Sequence, residues 1–138
     1  MATRLNPQIS RRDTARQAME FYESVFEGEL TVSTFADFQA SDDPAEQDKV
    51  MHSMLTTDHG LVLMGADTPN SMEYTTGSNY SVSLSGEDDA ELRGYWDRLT
   101  VGATIAEPLN TAPWGDSFGM LTDKFGVSWL VNIAGSQP

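Results

Sequence analysis

Shifted by 74 residues, the first half of the chain falls on the second. Ala18 lands on Leu92, Phe21 and Tyr22 on Tyr95 and Trp96, Val25 on Leu99 and Gly28 on Gly102. The matches agree in hydrophobic phase. Ala15, Ala18, Met19, Tyr22, Val25 and Phe26 form one apolar stripe at helical spacing, and Leu92, Tyr95, Trp96 and Leu99 form another. Self-similarity at one offset, with the same element order on both sides, points to a duplicated βαβββ unit. Each copy has a single amphipathic helix and a sheet too small to close a core alone. Pairing two copies solves the burial problem, with the sheets curling into a cup and the helices outside. The expected class is therefore α+β, with two tandem modules in one domain over residues 1–138. Module one covers about 4–67, a linker about 68–77 and module two about 78–134.

Local signals fill in the strands. Thr14 and Gln17 have capping-box spacing at the start of the first helix, and Gly28 suits its end. Glu29–Ala36 alternates weakly, and the polar, acidic run Gln39–Asp48 with Pro44 reads as a mobile loop. Lys49–Thr57 and Leu61–Ala66 are strands joined by a turn at Asp58, His59 and Gly60. In Asn79–Ser85, Tyr80, Val82 and Leu84 alternate with Asn79, Ser81 and Ser83 as a half-buried strand should. Ser117–Leu121 and Val127–Ile133 flank a hairpin turn that ends in Gly126. Period-two alternation puts Asp116, Phe118 and Met120 on one face, and Ser128, Leu130 and Asn132 together on the next strand.

The stretch from Trp114 to Gly119 reads Trp-Gly-Asp-Ser-Phe-Gly, and that from Thr122 to Trp129 reads Thr-Asp-Lys-Phe-Gly-Val-Ser-Trp. Together with residues 18–22, 50–52 and 82–84, they resemble the PhnB-like branch of the vicinal oxygen chelate superfamily. That superfamily includes the glyoxalase I, bleomycin-resistance and extradiol dioxygenase proteins. The resemblance spans residues 4–133 and implies a first strand over Leu5–Ser10 and a cavity inside the cup. It also implies where a divalent metal would bind: His and Glu ligands from the first and last strands of each module. Here those places offer Pro7 or a neighbour, Asn79 or Ser81, Met64 and Leu130, so neither a metal nor any other cofactor is expected. Some relatives are described as demethylubiquinone methyltransferases. This chain, however, has no glycine-rich turn between a strand and a helix of the kind that holds S-adenosylmethionine in a Rossmann-like enzyme.

Charge and composition exclude several partners. A formal charge of −13 repels a phosphate backbone, so nucleic acid is not an expected partner. No apolar run approaches 18 residues and Met1–Gln8 lacks an apolar signal region, so neither a membrane span nor secretion is expected. The absence of Cys removes thiol chemistry and fits a cytoplasmic protein. Exposed sheet edges, and the habit of relatives, point to a homodimer.

The candidate binding residues are His52, Met54, Met64, Asn79, Trp114, Phe118, Met120 and Leu130. Methionine and aromatic side chains suit an adaptable apolar pocket, and equally an ordinary core. His52 shares a strand face with Val50, Met54 and Thr56, where an imidazole can act as acid, base or hydrogen-bond donor. Asp116 can assist His52, contact a ligand, or anchor its loop by accepting backbone N–H bonds. His59 reads as a solvated turn residue. Two functions follow. One is a non-metal protein that binds a small organic molecule, in the manner of bleomycin-resistance proteins. The other is a lyase, isomerase or dioxygenase-type enzyme of the superfamily, metal-independent or with an atypical metal site, with His52 and Asp116 as its catalytic groups.

Overall fold

The structure is a computed structural model that describes residues 4–39, 41–75, 77 and 80–135. The chain divides into two compact units, Met1–Thr76 and Gly77–Pro138. The first contains β1 (Gln8–Arg11), α1 (Ala15–Phe26), β2 (Glu29–Thr34), α2 (Phe35–Phe38), β3 (Val50–Thr56) and β4 (Val62–Asp67). The second contains β5 (Val82–Gly86), α3 (Asp89–Leu99), β6 (Thr104–Thr111), β7 (Ser117–Thr122) and β8 (Ser128–Ile133). Each unit has one four-stranded mixed sheet, ordered β1-β4-β3-β2 and β5-β8-β7-β6. The pairs β1/β4 and β5/β8 are parallel and the remaining pairs antiparallel. The α+β class and the duplicated βαβββ order are those expected from the sequence.

The repeat has two offsets. Ala15 and Asp89, which open the long helices, lie 74 residues apart, whereas Val62 and Ser128, which open β4 and β8, lie 66 apart. The eight additional residues of the first unit fall between β2 and β3. There α2 and a 3₁₀ turn, Pro44–Glu46, replace the short connection that joins β6 to β7. This segment, expected to be a mobile loop, is tied down by the buried Glu46. Its carboxylate accepts from Ser41 Oγ at 2.8 Å and from the Asn70 amide at 2.6 Å.

Helix α1 buries its stripe of Ala15, Ala18, Met19, Tyr22, Val25 and Phe26 against one face of β2, β3 and β4. Leu55 and Leu63 are buried in the same unit, and each such side chain contributes roughly 1.5–3 kcal/mol. In the second unit, Leu92, Tyr95, Trp96 and Leu99 of α3 are buried with Leu84, Leu121, Trp129, Val131 and Ile133. A glycine marks the close approach of each helix to its sheet. A Cβ on Gly65 would come 2.7 Å from Met19 Sδ, and one on Gly119 would come 2.7 Å from the Trp96 ring. Because neighbours in a strand alternate, these glycines identify the helix-covered face of each sheet.

Several boundaries differ from the sequence expectations. The first strand is Gln8–Arg11 rather than Leu5–Ser10, and Leu5 is fully exposed. Strand β2 stops at Thr34, whose side chain caps α2 in a reciprocal capping box with Asp37. Strand β5 begins at Val82 rather than Asn79. The expected box at Thr14 is not formed, because Thr14 Oγ1 accepts from Arg11 Nε at 2.8 Å. The α1 N-terminus is satisfied from a distance instead: Asp67 Oδ1 accepts from the Ala15 amide at 3.0 Å, and Oδ2 from the Val50 amide at 3.0 Å. Strand β6 carried no clear signal, since it is an exposed edge strand interrupted by Pro108 within an irregular register. Among the described residues no helix is long and apolar enough to cross a membrane.

Candidate functional site

The sheet face opposite each helix is the one free to do chemistry. In the first unit, the register lays Gln8 beside Met64, Met64 beside Met54, and Met54 beside Thr31. A second row carries Ser10 beside Ala66 and His52 beside Ser33. His52, Met54 and Met64 are all half-buried, and among the described residues the His52 side chain makes no hydrogen bond. His59 lies exposed in the β3–β4 turn.

The second unit presents the matching rows. Ser83 lies beside Leu130, Leu130 beside Met120 and Met120 beside Glu107; Ser85 lies beside Asn132, Asn132 beside Phe118 and Phe118 beside Asn110. Phe118, Met120, Leu130 and Asn132 are half-buried. At the offset of 66, Met54 corresponds to Met120 and Met64 to Leu130, so duplication has kept an apolar pair at the middle of each helix-free face.

Asp116 stands just before β7. Its Oδ1 accepts from the Gly135 amide at 2.9 Å and its Oδ2 from Asn132 Nδ2 at 3.2 Å. These donors hold its carboxyl below the ordinary value of 3.8, the Gly135 amide first and Asn132 next; together they outweigh the opposing effect of desolvation, and Trp114 adds the smallest lowering contribution. Trp114 sits on the turn before Asp116 rather than on a strand, and its ring is largely exposed, at 65%. Asn79 lies outside the described residues, and the β5 residue beside Leu130 is Ser83. Sequence reasoning passed over Gln8, Ser83 and Asn132 as contacts. Asn132 was within reach, since it lies two residues after Leu130 and therefore on the same face.

The neighbouring positions on the first and last strands are thus Gln8 with Met64 and Ser83 with Leu130. A carboxamide, a thioether, a hydroxyl and an alkyl group do not fit a divalent cation, which asks for imidazole or carboxylate donors. Among the described residues no cluster of three His, Asp or Glu side chains exists to replace them. The β1–α1 turn carries Arg12, Asp13 and Thr14, without the glycines that a Rossmann-like cofactor turn needs for close backbone approach.

A family model described as 3-demethylubiquinone-9 3-methyltransferase matches residues 4–132. The chain belongs to this family. It is similar to protein PA1353 of Pseudomonas aeruginosa, with 30% identity over 98% of this chain and 100% of that one, at a TM-score of 0.80. It is also similar to a Bacillus cereus protein described as a putative 3-demethylubiquinone-9 3-methyltransferase, PhnB protein. There the identity is 25% over 96% of this chain and 100% of that one, with a TM-score of 0.75. A glyoxalase/bleomycin resistance protein/dioxygenase family enzyme from Burkholderia phytofirmans shares the fold, at 13% identity over 92% of this chain and 94% of that one and a TM-score of 0.61. The protein is thus PhnB-like, with the fold of the glyoxalase/bleomycin resistance protein/dioxygenase proteins.

Proposed function

We propose that this PhnB-like chain is a cytoplasmic protein that binds a small, largely apolar organic molecule on its helix-free sheet faces without a metal ion. The observation that carries this reading is the content of those faces. Met54 and Met64 in one unit, and Phe118, Met120 and Leu130 in the other, stand half-buried on those faces, and Met64 and Leu130 occupy the last strands, from which the superfamily's metal ligands would come. Thioether and aromatic side chains adapt to irregular apolar shapes, while His52 supplies a polar group able to fix orientation. We further propose that the protein works as a homodimer, for which the exposed edge strand β6 with Ile105 offers surface. Native mass spectrometry of protein purified without a tag tests the binding reading. A retained organic mass is expected, and stoichiometric zinc, nickel, iron or manganese in its place would overturn it. His52→Ala is expected to weaken retention of that molecule by about 0.5–1.5 kcal/mol, the net value of one neutral hydrogen bond.

A further inference from the structure

This inference rests on the small-molecule reading and concerns what the molecule must carry. We propose that Asn132 is the specificity-determining residue of the second unit's helix-free face, and that Asp116 orients its amide to read an O–H or N–H donor on a neutral or cationic aromatic ligand.

A side-chain amide has two faces of opposite character, a carbonyl acceptor and an NH₂ donor, and which one a ligand meets depends on what pins the group. Here the pin is a carboxylate. Asp116 Oδ2 lies 3.2 Å from Asn132 Nδ2, and an ionised carboxylate can only accept. The opposite orientation would set two acceptors against each other. The Gly135 amide on Oδ1, at 2.9 Å, keeps Asp116 ionised and fixed, in line with its lowered pKa. Gly135 in turn is packed so tightly on the Gly115 carbonyl that a side chain there would collide with it. With the NH₂ directed at Asp116, Asn132 Oδ1 remains, and among the described residues nothing donates to it.

The surroundings of that oxygen decide the ligand class. Asn132 lies beside Phe118 on β7 and Ser85 on β5, with Met120 and Leu130 in the next row. An aromatic ring stacked on Phe118 would bring a ring substituent to Oδ1. The edge strand β6 adds Asn110 beside Phe118 and Glu107 beside Met120. No Lys or Arg occurs in β5, β6, β7 or β8, so a negative charge on the ligand would meet Glu107 uncompensated.

Phenol, anisole and benzoate at millimolar concentration form a matched test, read by NMR shifts of Phe118, Met120, Leu130 and the Asn132 side-chain amide. On the unaltered protein, phenol is expected to bind about threefold to tenfold more tightly than anisole, the range one neutral hydrogen bond supplies, with benzoate weakest. In Asp116→Asn the amide is no longer held one way, and the phenol-to-anisole ratio should fall towards one while anisole affinity stays the same. A merely structural tie would change both affinities together and leave the ratio alone. Equal binding of phenol and anisole to the unaltered protein overturns the role of Asn132, and an unchanged ratio in Asp116→Asn overturns that of Asp116. If no probe moves the Phe118, Met120 or Leu130 signals, the small-molecule reading itself falls, and this inference with it.

Discussion

Asp67 and Asp116 are both carboxylates that accept backbone N–H bonds at the mouth of a strand, yet they answer to different tests. Asp67 is buried and is the shared acceptor for the Ala15 and Val50 amides, joining the start of α1 to the start of β3. Removing it strands two donors, at about 1–3 kcal/mol for each one that water cannot reach. Asp67→Ala should therefore lower unfolding stability by about 3 kcal/mol in a urea titration; a loss under 1 kcal/mol would show that water replaces the carboxylate. Asp116 is half-buried, and its effect is better read as pH dependence. Its folded pKa is depressed, so its stabilisation is fully present above the unfolded value near 3.8 and is lost as pH falls through the lower folded value. The stability gap between the wild type and Asp116→Asn should stay constant from pH 7 down to about 5 and close below about pH 3.8. A gap that persists undiminished at the acid end would contradict the hydrogen bonds from Gly135 and Asn132 to the Asp116 carboxylate.

Each helix reaches its sheet through one glycine, and the two contacts differ in stiffness. A methyl group on Gly65 meets the flexible end of Met19, which can swing aside. On Gly119 it meets the rigid Trp96 ring and, at 3.0 Å, the Leu109 Cα, neither of which can yield without moving the backbone. Gly119→Ala should cost about 1–3 kcal/mol by overpacking, and Gly65→Ala distinctly less, as compared by thermal unfolding. Equal losses would mean that α1 and α3 are held with the same rigidity. The elements with regular periodicity were legible from the sequence. The stripes of α1 and α3, and the alternation in β3, β7 and β8, reflect burial of one face, which leaves its pattern in residue type. Strand β6 was not legible, because an edge strand exposed over most of its length has no buried face to record. Nor could the sequence show that Asp67 caps α1 across 52 residues, since a cap is read from neighbours and this one comes from the end of another strand. On the candidate site, alternation gave the faces of Met54, Phe118 and Leu130, while the partner strands were a matter of register, which places Ser83 beside Leu130.

The whole molecule carries a formal charge of −13, which opposes the association of two copies. The proposed homodimer must overcome this by burying apolar surface, and the second unit leaves Ile105 on β6 and Val101 before it substantially exposed. Direct strand addition at β6 is disfavoured, because Pro108 removes a ladder donor. Side-chain packing with screened charges is the arrangement left, and it makes association dependent on salt. The Debye length shrinks from about 30 Å at 0.01 M to about 8 Å at 0.15 M ionic strength, so repulsion between like-charged copies is strong at the lower value and mostly screened at the higher. Sedimentation velocity at micromolar concentration should therefore show more dimer as sodium chloride is raised over this interval, the reverse of an assembly held by ion pairs. Ile105→Glu should shift the equilibrium to monomer at both concentrations while leaving the fold intact, since that side chain is already 46% exposed. A single species near 15.1 kDa at every salt concentration would rule the dimer out.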